Sequence, residues 1–158
     1  MQILAIESSS LTAGAAIIKD DVVLAEYSVS FKKTHSQTLL PMIDEVVKMT
    51  ETNLKELDAI AISAGPGSFT GLRIGMATIK GLSMGSNKPY VSISSLDALA
   101  NSLLTFDGII CPVMDALRDN VYTGLYKNIE GNLTKILDCT ALDLTELANI
   151  LNEKGLLI

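Results

Sequence analysis

AIAISAGPGSFTGLRIGMATIKGLSMG, from Ala59 to Gly85, is the stretch on which the fold turns. Ile60 to Ala64 is a short apolar run that fits a buried strand. Gly65-Pro66-Gly67-Ser68-Phe69 follows as a tight turn, and the remainder has helical spacing. A strand, glycine turn and helix aim the unpaired N–H groups of the first helical turn past the strand's carboxyl end, where an anion or a partner's carboxylate can be held. Generic phosphate loops fit poorly. A Walker loop needs Lys and then Ser or Thr after its last glycine, but Gly71 is followed by Leu72 and Arg73, and a dinucleotide fingerprint would want glycine at Thr70. A glycine turn that only lets strand and helix pack closely fits the same residues.

Inside the helix, Gly75 and Gly81 each cost about 1 kcal/mol relative to alanine. Gly71, Gly75, Thr78, Gly81 and Gly85 share one broad face of small residues, open to close approach of another backbone, with Gly85 a candidate C-terminal cap. Arg73, Met76, Lys80 and Met84 share a different face, which suits a protein partner or solvent.

A length of 158 residues with 48% hydrophobic residues implies a globular chain of one sizeable domain or two small lobes. No apolar run reaches the length of a membrane span, and the amino terminus enters a strand pattern at once, so a cytoplasmic protein is expected. Cys111 and Cys139 lie in apolar strand-like runs and read as buried free thiols. A net charge of -6, scattered Lys and Arg, and no tryptophan argue against a nucleic-acid footprint on this chain alone. The one histidine, His35, excludes a site with two histidine ligands; neither metal nor cofactor is expected.

Along the chain, Gln2 to Glu7, Gly14 to Ile18 and Val22 to Ser30 read as a three-stranded meander. Glu7 ends the first strand before a Ser/Thr turn, the way actin-like folds place a carboxylate beside a phosphate; a solvated strand end fits too. His35 to Thr52 reads as a helix capped by Thr34 or Ser36. Its apolar arc of Leu39, Leu40, Met42, Ile43, Val46, Val47 and Met49 is wider than one sheet needs, leaving an edge for a neighbouring helix or another chain. A short helix at Asn53 to Leu57, a strand at Pro89 to Ile93 and a helix at Ser94 to Leu104 complete a βββαβαβα order. Two right-handed crossovers then give a five-stranded mixed sheet with helices on both faces, the lobe of ribonuclease H-like and actin-like α/β folds.

Thr105 to Gly108 breaks the pattern, so residues 1–104 are expected as a first lobe and 108–158 as a partial second one. The second begins like the first: strands at Ile109 to Met114, Asn120 to Lys127 and Asn132 to Cys139, then a helix from Leu142 to Lys154 capped by Gly155. Leu156-Leu157-Ile158 reads as the start of a further strand, so the natural protein is expected to continue.

These residues resemble the bacterial tRNA threonylcarbamoyladenosine biosynthesis family TsaB, also called YeaZ. The resemblance spans the chain: ILAIESSS at Ile3 to Ser10, His35-Ser36 with Leu39-Leu40-Pro41, GPGSFTGLRIG at Gly65 to Gly75, Lys80-Gly81-Leu82, SSL-x-ALA at Ser94 to Ala100, and Asp115-Ala116 through Val121-Tyr122. Two residues depart from the family pattern: Glu7 stands where aspartate is commonest, and Leu117 replaces an arginine. The family's carboxyl-terminal lobe is also incomplete here.

The resemblance implies a non-catalytic paralogue of the enzyme TsaD, which transfers a threonylcarbamoyl group onto a tRNA adenosine. The enzyme's metal-binding histidines have no counterpart in Val91 to Leu99. It further implies TsaD and the ATPase TsaE as partners, a homodimer when alone, and tRNA contact only through the complex. The implied interface is the two first-lobe helices, with Leu39, Met42, Ile43, Val46, Met49, Gly71, Arg73, Gly75, Met76 and Lys80 as candidates. Glu7, Ser8, Gly65, Gly67, Ser68 and Thr70 are candidates for a vestigial nucleotide or anion site. The competing reading is an ATP-binding phosphotransferase of the actin-like class, with Glu7 orienting a metal-bound water and the Gly65–Thr70 loop holding phosphate.

Overall fold

Alternation of large apolar residues builds the first sheet. In the computed structural model, which describes residues 1–30 and 34–155, β1 (Gln2–Glu7) turns Leu4 and Ile6 to one face. Leu4 sits opposite Ile17 of β2 (Ala13–Lys19) and Ile60 of β4 (Ala59–Ser63), and Ile6 sits opposite Ala15 and Ile62. Like residues therefore stack across the sheet on the same side. With β3 (Val22–Val29) and β5 (Tyr90–Ile93) the order is β3-β2-β1-β4-β5, antiparallel on the β3 side of β1 and parallel on the β5 side. This is the mixed sheet expected from the βββαβαβ order.

Helices α1 (His35–Met49) and α2 (Phe69–Ser86) close the Leu4 face. Leu39, Met42, Ile43 and Val46 of α1 and Ile79 of α2 join it in one core. Each fully buried side chain of this kind contributes about 1.5–3 kcal/mol. The expected arc of α1 is thus mostly spent on the sheet. Helix α1 stops at Met49 rather than Thr52, because Glu51 takes a left-handed conformation (φ 51°) and the Thr50 hydroxyl donates back to the Val46 carbonyl at 2.7 Å. Thr34 occupies the cap position without a side-chain bond, and residues 53–57 form a turn instead of a short helix.

Contacts divide the chain into Met1–Ser94 and Ser95–Ile158, earlier than the break expected at 105–108. The cause is α3 (Ser95–Asn101), whose Leu96 and Ala100 are buried against Ile110 and Tyr126. Asp97 accepts a 2.8 Å hydrogen bond from the Tyr126 hydroxyl and pairs with Lys135 at 3.0 Å. Burial, then the Asp97 carboxylate, pushes the Tyr126 phenol well above its ordinary range.

The second unit's sheet is built on β8 (Asn120–Ile129). It pairs with β6 (Ile109–Ile110) and β7 (Val113–Asp115) on one side and with β9 (Asn132–Asp143) on the other. Pro112, with no N–H to donate, separates β6 from β7 where a single strand was expected. Leu142 stays in β9 opposite Val121, so α4 (Leu144–Glu153) starts later than expected, capped by the Asp143 carboxylate on the Glu146 N–H at 2.8 Å. Gly155 follows it with φ 65°. The further strand expected at 156–158 lies outside the described residues. Cys139 is exposed and only Cys111 is partly buried, a correction to the expectation of two buried thiols; both are free.

Candidate functional site

The β1–β2 turn and the start of α2 converge where the sequence placed its anion site. Both Glu7 carboxylate oxygens are engaged: Oε1 accepts from the Ser9 N–H and Oε2 from the Ser63 hydroxyl at the end of β4. The Ser68 N–H donates to the Ser9 carbonyl at 2.6 Å, and the Ser68 hydroxyl caps α2 by accepting from the Gly71 N–H at 3.3 Å. Gly65 has φ 101°, a conformation that favours glycine.

Glycine is required here chiefly by close approach. A Cβ on Gly67 would overlap Ser9, one on Gly71 would overlap the Ser8 carbonyl oxygen, and one on Gly75 would overlap the Ser8 hydroxyl. The protein's own Ser8-Ser9 backbone therefore lies against the loop and first turns of α2. His35 completes the contact, its Nε2–H donating to the Ser10 carbonyl at 2.8 Å. Glu7, Ser8, Gly67, Ser68, Gly71 and Gly75 are thus brought together, with Thr70 exposed at the helix start.

Ser8 is fully buried, and its hydroxyl finds no hydrogen-bond partner among the described residues. A buried hydroxyl left unmade costs about 1–3 kcal/mol. Ser8→Ala is therefore expected to raise stability by about 1 kcal/mol in urea unfolding. A loss of stability would mean that the hydroxyl has a partner.

The outward side of the helices differs from the expected interface. Leu39, Met42, Ile43 and Val46 face the sheet as core, a correction forced by the width of the sheet that α1 must cover. Gly71 and Gly75 face Ser8, and Met76 is half-buried against the core. Arg73, Lys80 and Met49 are exposed as expected. Phe69, 67% exposed, was missed as a contact residue; the Arg73 guanidinium stacks 4.0 Å from its ring centre. With Met84, 84% exposed, these residues form an outward row on α2, and the i, i+4 spacing of Phe69 and Arg73 was a signal available in the sequence.

Gly81 and Gly85 belong to neither arrangement. Both are exposed, with nothing within 4 Å of the point where a Cβ would stand, and the left-handed cap is Asn87 rather than Gly85. Gly81→Ala should accordingly raise stability by about 1 kcal/mol, read from the urea midpoint. A fall of similar size would show that something within the fold needs the bare backbone there.

Among the described residues no group of three or more His, Cys, Asp or Glu could hold a metal, and no helix is long and apolar enough to cross a membrane.

Comparison with known proteins places this arrangement. Residues 23–158 match the family described as TsaD, tRNA N6-adenosine threonylcarbamoyltransferase. The tRNA threonylcarbamoyladenosine biosynthesis protein TsaB of Bacillus subtilis (strain 168) is 38% identical over 98% of this chain and 67% of its own length. The solved structure of YeaZ from Pseudomonas aeruginosa superposes with a TM-score of 0.81 at 29% identity, over 89% of this chain and 67% of that one. Ethanolamine utilization protein EutJ from Carboxydothermus hydrogenoformans, at 15% identity and a TM-score of 0.51, shares the fold over 99% of this chain and 58% of its own. The architecture is thus the ribonuclease H-like, actin-like ATPase fold, and the chain spans about two thirds of the length of TsaB and YeaZ. On sequence and structure alike, the chain belongs to the TsaB (YeaZ) family within the wider TsaD group.

Proposed function

We propose that the chain is a non-catalytic subunit in the threonylcarbamoyladenosine modification of tRNA, binding the catalytic relative TsaD and the ATPase TsaE and touching tRNA only through the assembly. Membership of a family whose Bacillus subtilis representative is named for this biosynthesis supports the pathway. The outward row of Phe69, Arg73, Lys80 and Met84 on α2, with exposed Leu40 and Met49 on α1, carries the binding role. Large apolar and cationic side chains held outward on rigid helices suit a helix-to-helix contact, with a second copy when alone and with the enzyme when it is present.

The phosphotransferase reading draws less support. Both Glu7 oxygens already accept hydrogen bonds within the chain, and the Ser68 N–H donates to the Ser9 carbonyl where phosphate would have to lie. The test is reconstitution: TsaD, TsaE, ATP and unmodified tRNA, with and without this chain, followed by nucleoside analysis. Modification that depends on the chain supports the reading; equal modification without it removes the role.

A further inference from the structure

We draw no further inference here: the strongest candidate, the open groove between the edge strand β3 and helix α1 lined by Tyr27, Val29, Pro41, Met42 and Glu45, carries nothing, because nothing in the structure shows what covers it.

Discussion

Gly71→Ala is expected to cost about 2–4 kcal/mol of stability, a large fraction of the about 5–15 kcal/mol by which a domain of this size is folded. The methyl group would overlap the Ser8 carbonyl oxygen and stand 3.0 Å from the His35 ring. Backbone on one side and a ring on the other leave it little room to shift. Gly75→Ala meets the Ser8 hydroxyl and, at 2.8 Å, the end of the Ile62 side chain, both of which can be removed or moved. Ser8→Ala should therefore rescue part of the Gly75→Ala loss and little of the Gly71→Ala loss. Urea unfolding of the single and double variants reads this coupling directly. Purely additive effects of Ser8→Ala and Gly75→Ala would contradict the close approach of Gly75 to the Ser8 hydroxyl.

The second large effect is expected on binding. Arg73→Glu combined with Met84→Glu reverses a charge and adds one on the outward row of α2, without touching the core. Stability should change by less than about 0.5 kcal/mol at each exposed site, while affinity for TsaD should fall at least about a hundredfold if both residues lie at the centre of the contact. Met76 is unsuited to this test because it packs against the core, so Met76→Glu would confound binding with folding. Titration of the double variant against TsaD, beside its thermal melt, separates the two. Retained affinity would move the interface elsewhere.

Much of the architecture was legible because its signals are local. A short apolar run marked β4 as a strand, three strand patterns in succession marked the meander of β1, β2 and β3, and the glycine turn marked the passage from β4 to α2. The division between units was less legible, since the SSL-x-ALA helix reads the same whichever core receives Leu96 and Ala100; only tertiary packing decides it. The width of α1's apolar arc misled for a related reason. Four of its residues serve one sheet, and periodicity alone does not reveal how wide a sheet the helix must cover. The glycines show the same limit. Spacing grouped Gly71, Gly75, Gly81 and Gly85, yet the first two meet Ser8 and the last two meet nothing, because the turn they pack against comes from the distant β1–β2 connection.

Association with the catalytic relative is read by size-exclusion chromatography with light scattering on an equimolar mixture of the chain and TsaD. The chain should elute with TsaD at the mass of a stoichiometric complex, its self-association displaced as the mixed complex forms. Two separate peaks at the masses of the isolated proteins, at concentrations of tens of micromolar, would contradict it.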